Sequence, residues 1–143
     1  MANFLSAVPE QEVPPEDAFA TAQVRAGNCQ AVVVDVDGIT LATISGSIDA
    51  VSVGDFTGHL AAACAAGTGR LVLDMSDVDF LSVDGIAALH NTARYVTNSG
   101  GALAVSGGRA VRRPLQRTGL DGLIPVFDWL PTAFDAVGGI APA

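Results

Sequence analysis

Residues 71–89 read LVLDMSDVDFLSVDGIAAL, and this stretch decides how the chain folds. Leu71-Val72-Leu73 is a continuous apolar run of the kind that lies inside a parallel sheet, buried on both faces. The strand is expected to end near Asp74 and to give way to a polar turn. Phe80-Leu81-Ser82-Val83-Asp84-Gly85 follows, and a helix begins at once, running from about residue 84 to residue 98. Ile86, Leu89, Ala93 and Val96 recur at three- and four-residue spacing and mark its inner face. A strand-to-helix corner has specific chemistry, because the start of a helix presents unpaired N–H groups and about half a positive charge. Ser82 is placed to cap it, and Asp84 in the first turn complements the dipole. An anion can also bind at such a place, and a phosphoserine there would add about −1.5 to −2 charges. On chemistry alone, the plainer reading is a serine cap beside a favourable aspartate.

The same grammar extends in both directions. Upstream, residues 31–36 and 39–48 are β-branched runs joined by Asp37-Gly38, the signature of a two-residue hairpin. Ser52-Val53-Gly54-Asp55 then fits a capping box. Val53, Phe56, Leu60 and Cys64 line one face of the helix it would open. Gly54 and Gly58 weaken that helix by up to ~1 kcal/mol each, and Gly67 and Gly69 end it. Downstream, Ser99-Gly100-Gly101 stops the second helix. A strand over 102–105, a helix over 109–120 interrupted by Pro114, a strand over 124–127 and a helix over 131–137 complete the pattern. Strands alternating with helices require crossover connections. The expected fold is α/β: a mixed, mostly parallel sheet of about five strands that opens with a β-hairpin, with about four helices packed against it.

This domain occupies residues 28–138. Residues 1–27 read as a flexible N-terminal extension with Pro9, Pro14, Glu10 and Glu12. Within it, Pro15-Glu16-Asp17 reads as the start of a short helix whose apolar stripe is Phe19, Ala22 and Ala26. Residues 139–143 read as a flexible tail.

Charge narrows the function. The 143 residues hold seven arginines, no lysine and 15 acids, for a net charge of −8. Nucleic-acid binding needs a basic surface, so a nucleic-acid partner is not expected, and an anionic membrane surface is disfavoured. Four of the seven arginines, Arg109, Arg112, Arg113 and Arg117, form one local basic stretch that reads as a solvated helix face. No apolar run reaches the ~18 residues of a membrane span, and the first 20 residues hold no Lys or Arg, so no secretory signal is expected. The expected location is the cytoplasm, without insertion into a membrane. Enzyme signatures are missing as well: without lysine there is no phosphate-binding Gly-x-x-x-x-Gly-Lys-Ser/Thr loop, and no Gly-x-Ser-x-Gly elbow is present. A binding protein with no cofactor and no metal is expected, not an enzyme.

At this point the sequence resembles a known family, the STAS domain of anti-sigma factor antagonists and related bacterial regulators. Ile44-Ser45-Gly46-Ser47-Ile48-Asp49 resembles the family's Gly-x-Leu-Asp element before its first helix. Leu73-Asp74-Met75-Ser76, with Phe80-Leu81-Ser82-Val83-Asp84-Gly85-Ile86, resembles its central corner, and the order of elements agrees. The resemblance implies a partner: an anti-sigma factor, or a serine kinase of ATPase fold that doubles as one. It implies a contact surface at Asp49, Ser82, Val83, Asp84 and Gly85. In such proteins the corner usually reads Asp-Ser-Ser-Gly, and its first serine is phosphorylated by the kinase, which blocks binding. Two added charges in a packed interface bring desolvation and repulsion.

Aligned on Gly85, the acceptor position is Val83, the usual Asp is Ser82 and the second Ser is Asp84. The resemblance therefore implies an altered switch. Either Ser82, one residue away, is the phosphorylation site, or Asp84 supplies a fixed negative charge and no phosphate is used.

Other residues carry weaker signals. Asp49 serves equally well as a cap for the first helix. His59 and His90 lack partners at ligand spacing and read as ordinary histidines. Trp129 reads as a packing anchor. Cys29 and Cys64 read as two reduced thiols, or alternatively as a redox-sensing pair if the fold brings them within ~7 Å. Two other functions share the fold: a small adaptor subunit of a lipid-transport ATP-binding-cassette complex, and a ligand- or redox-sensing domain. A homodimer is compatible with all of them.

Overall fold

The computed structural model describes residues 29–138, and the expectations for residues 1–27 and 139–143 lie outside them. Asp37 and Gly38 both take positive φ, 52° and 82°. That pair of left-handed residues matches the right-handed twist of two flanking strands. It joins β1 (Cys29–Val36) to β2 (Ile39–Ile48), which pair antiparallel in one unbroken register from Cys29↔Gly46 to Val36↔Ile39. Then follow α1 (Val53–Ala65), β3 (Arg70–Leu81), α2 (Val83–Asn98), β4 (Ala102–Ser106), α3 (Arg109–Arg117), a 3-10 turn at Leu120–Gly122, β5 (Val126–Phe127) and α4 (Leu130–Gly138). The five strands lie side by side in chain order, and β2 through β5 are parallel. The mixed, mostly parallel sheet with its opening hairpin and four helices is the expected architecture.

Strand order explains the layers. When parallel strands follow one another in sequence, crossovers of one hand put every connecting helix on one face. Leu71, Leu73 and Met75 of β3 point to that face and meet Phe56 and Leu60 of α1, Ile86 and Leu89 of α2, and Val111 and Leu115 of α3. Val72 alternates to the other face. There it joins Ile39 and Ala104 beneath Ala133 and Val137 of α4, the helix that follows the last strand. Each large side chain buried in this way contributes about 1.5–3 kcal/mol.

Four local expectations are corrected. β3 does not end near Asp74 but runs on to Leu81 beside β2. The register shifts twice, between Thr43 and Ser45 and between Gly46 and Ser47, and each shift gives β3 one extra residue. Those bulges space the buried Met75, Val78 and Leu81 three apart, which hides the strand's two-residue period. The third helix passes through Pro114 without interruption and stops at Arg117, where Gly119 at φ 76° leads into the 3-10 turn. The last strand is confined to Val126–Phe127. Ile124 is fully buried, and its N–H bonds the Leu120 carbonyl at 2.8 Å instead of a strand. Trp129 is not a packing anchor: it is 69% exposed, just before the turn of α4.

Candidate functional site at the strand-to-helix corner

The corner begins where β2 and β3 run out together at Ile48↔Leu81. The Ser82 N–H donates to the Ile48 carbonyl at 2.8 Å, so the chain remains tied to β2 one residue past the strand. Ser82 is extended (φ −77°, ψ 169°), and its Oγ accepts the Gly85 N–H at 3.1 Å while its carbonyl accepts the Ile86 N–H at 2.9 Å. That is the serine cap expected from the sequence, of a kind that contributes about 1 kcal/mol to helix stability. The half-buried Ser82 hydroxyl is therefore already engaged by the helix. Gly85 is buried beneath the corner, where a Cβ would come within 2.7 Å of both Ile48 Cγ2 and Leu81 Cδ1. Only a glycine lets the first turn of α2 lie so close to the sheet.

Val83 and Asp84 face solvent. Val83 is 79% exposed, and Phe80, at the end of β3, is 52% exposed. Asp84 lies exposed in the first turn of α2, where its charge complements the helix dipole.

The neighbouring corner, between β2 and α1, differs from its expected form. Ser52 does not cap α1 through a capping box. It is buried and already helical (φ −96°, ψ −7°), with no capping bond from its side chain. Its hydroxyl instead donates to the Ser47 carbonyl at 2.6 Å and accepts the Asp49 N–H at 2.9 Å. The winding starts earlier, since the Val53 N–H reaches the Asp49 carbonyl at 2.9 Å. Asp49 Oδ1 accepts the Ser52 N–H at 3.0 Å and the Val51 N–H at 2.9 Å. The Ser52 N–H, and after it the Val51 N–H, hold the Asp49 carboxyl below its ordinary value. Asp49 thus acts as the cap, the simpler of the roles its position allowed. Val51, beside it, is 73% exposed.

The fold brings Asp49, Ser82, Val83 and Asp84 together at the carboxyl ends of adjacent parallel strands, the edge where open α/β sheets place their binding sites. Val51 and Phe80 belong to the same edge and were not singled out from the sequence. Their signal is an apolar side chain at a turn or strand end that the buried periodicity does not require.

The remaining candidates lie elsewhere. Cys29 and Cys64 are free thiols. Burial pushes both thiols up, and the charge of Asp55 adds to the effect at Cys29. His59 Nε2 lies 3.2 Å from the Cys29 carbonyl and ties α1 to β1, while His90 is half-buried on α2. Arg112 forms an ion pair with Asp128, and Arg109, Arg113 and Arg117 are exposed. Among the described residues no cluster of three His, Cys, Asp or Glu side chains is placed to hold a metal. None of their helices is long and apolar enough to cross a membrane.

The STAS domain family model matches residues 30–133. The chain belongs to the STAS domain family. This STAS domain is 30% identical over 107 residues to the anti-sigma-F factor antagonist RsfB of Mycobacterium tuberculosis, a match covering 75% of this chain and 88% of that protein. It is similar to the crystal structure of an anti-sigma factor antagonist from Mycobacterium paratuberculosis, with a TM-score of 0.73 and 32% identity, covering 80% of this chain and 98% of that one. The fold also matches the crystal structure of a putative anti-sigma factor antagonist from Thermotoga maritima, with a TM-score of 0.68 and 20% identity, over 75% of this chain and 93% of that one.

Proposed function

We propose that this STAS domain is an anti-sigma factor antagonist: it binds an anti-sigma factor of ATPase-kinase fold and thereby controls transcription without catalysing a reaction. The contact surface is the corner of Ser82, Val83 and Asp84 with the adjoining turn at Asp49. Gly85 acts beneath it by letting α2 approach the sheet. The observation that carries this reading is the side chain at the tip of the corner. Val83 stands 79% exposed on the first turn of α2 beside Phe80, 52% exposed at the end of β3, and exposed apolar side chains grouped in this way mark a contact surface where a single one would not. The similarity to two mycobacterial anti-sigma factor antagonists supports the choice of partner class.

The phosphate switch is altered in this reading. Val83 has no hydroxyl, and the Ser82 hydroxyl is held in the cap of α2. Asp84 supplies a permanent charge one residue beyond the position where other members of the family vary theirs. Binding is then controlled by the amounts of the partners and by their own ligands, not by phosphorylation of this chain.

The reading is tested by using the purified protein as bait in a lysate of its source organism, with mass spectrometry of what is retained. Capture of an anti-sigma factor of ATPase fold, weakened by Asp84→Lys, is the expected result. Capture of a membrane transporter ATPase instead, or equal capture by Asp84→Lys, overturns it.

A further inference from the structure

Beside the corner, β3, α2 and α3 enclose a cleft of about 390 Å³. Its walls are Phe80, Val83, Ile86, Ala110 and Pro114, and Arg117 stands at its rim. Phe80 and Val83 leave much of their apolar surface open to it. On the α3 side, Arg117 is the one cation among the lining residues. Arg109, Arg113 and Arg117 recur at four-residue spacing, which places them along one stripe of α3. All three are exposed, and none has an ion-pair partner among the described residues, whereas Arg112 on the adjoining face is paired with Asp128. In a chain of net charge −8 with only seven cations, an unpaired arginine in the lining and two more along the same stripe of α3 are a local reversal of the protein's field.

One acid, Asp79 near the end of β3, also stands in the lining, and its carboxylate accepts the Ser47 hydroxyl. A nucleic-acid backbone is disfavoured by the net charge of −8 of the chain as a whole. A polypeptide that meets Arg117 with a carboxylate and the apolar walls with one large apolar side chain satisfies both features of the cleft.

We propose that this cleft docks an acidic segment of the anti-sigma factor, with one large apolar side chain inserted between Phe80, Val83 and Pro114 and carboxylates against Arg113 and Arg117. The inference rests on the function proposed above and deepens it. The interface extends from the corner onto α3, and recognition divides into an apolar anchor that sets the dissociation rate and a charged rim that speeds encounter. Rim charges act mainly on association and are screened by salt, whereas filling an anchor pocket acts mainly on dissociation.

The test measures association and dissociation rates between the full chain and its anti-sigma factor in low and high salt, for two variants of the cleft, with Asp84→Lys as the control for the corner. Arg113→Glu with Arg117→Glu is expected to slow association about tenfold in low salt and to flatten the salt dependence. Ala110→Phe fills the cleft from its half-buried α3 wall and is expected to speed dissociation about tenfold while the salt dependence stays as in the unsubstituted chain. The thermal midpoint of each variant establishes that it folds. Unchanged rates in both variants, with binding still weakened by Asp84→Lys, overturn the cleft and leave the function standing. Tighter binding after charge reversal overturns it too, because the contacting segment is then basic. A chain that dimerises in the absence of the factor, and loses its dimer with the same variants, has a second copy in the cleft and contradicts the proposal. If no anti-sigma factor binds the unsubstituted chain, both readings fall together.

Discussion

Gly85 and Ile48 touch across the junction of α2 with the sheet: a Cβ at position 85 would come within 2.7 Å of Ile48 Cγ2. Ile48 is fully buried and β-branched, so it has little freedom to rotate away. Gly85→Ala gains up to ~1 kcal/mol of helix propensity but overpacks this contact, which costs about 1–3 kcal/mol. The overpacking prevails, and a net loss of roughly 1–2 kcal/mol is expected from chemical denaturation. The same substitution pushes the first turn of α2 outward and is expected to weaken partner binding, even though Gly85 is itself buried.

Ser82 has a role that its neighbours cannot replace. Ser82→Ala leaves the Gly85 N–H without its cap and is expected to cost about 1 kcal/mol. Ser82→Asp restores an acceptor at the same place, and its negative charge suits the helix start. Its stability is expected to return to that of the unsubstituted protein in the same denaturation experiment. A serine whose hydroxyl contributed nothing to the fold would show no difference between the two variants.

Asp49 connects the α1 corner to pH. Its carboxyl is held below the ordinary value by the Ser52 and Val51 amides, so its charged form is the one the fold favours. Its contribution is fully present above the ordinary aspartate pKa of about 3.9 and is lost as pH falls through the lower folded-state value. Asp49→Ala is expected to lower the thermal midpoint by a few degrees at neutral pH. The gap to the unsubstituted protein is expected to narrow only in acid below about pH 4. A gap that closes between pH 5 and 7 would contradict this assignment.

The two thiols are expected to react slowly. Burial raises both, so the thiolate form of each is scarce at neutral pH. Alkylation of the folded protein is expected to follow a pH profile displaced above the free-cysteine value of about 8.5, and to become ordinary in denaturant. Fast alkylation of either residue at pH 7 would contradict the effect of burial and favour a redox role for the pair.

These sites differ in how plainly the sequence displays them. The hairpin was legible because Asp37-Gly38 admits few other conformations, and α2 because Ile86, Leu89, Ala93 and Val96 keep a strict helical spacing. The second half of β3 was not, because its two bulges break the alternation on which a strand is recognised. Ser52 and Asp55 have the right types for a capping box, yet the winding begins at Asp49, and a local pattern does not reveal which of two polar residues three apart the backbone will use. Trp129 failed for another reason. A large aromatic near a helix is usually buried, and only the packing of α4 shows that this one stays outside. At the corner, Ser82 could be placed from chemistry, whereas Val51 and Phe80 join it only through the Ile48↔Leu81 pairing, which no local reading supplies.

The most direct test of the central claim is to incubate the unsubstituted protein and Val83→Ser with the proposed partner, an anti-sigma factor of ATPase-kinase fold captured by this protein, and ATP, and to follow phosphate incorporation and complex stability together. The unsubstituted protein is expected to remain unmodified and bound, and Val83→Ser to accept one phosphate at position 83 and dissociate. Phosphorylation of Ser82 in the unsubstituted protein, with release of the kinase, would contradict the account.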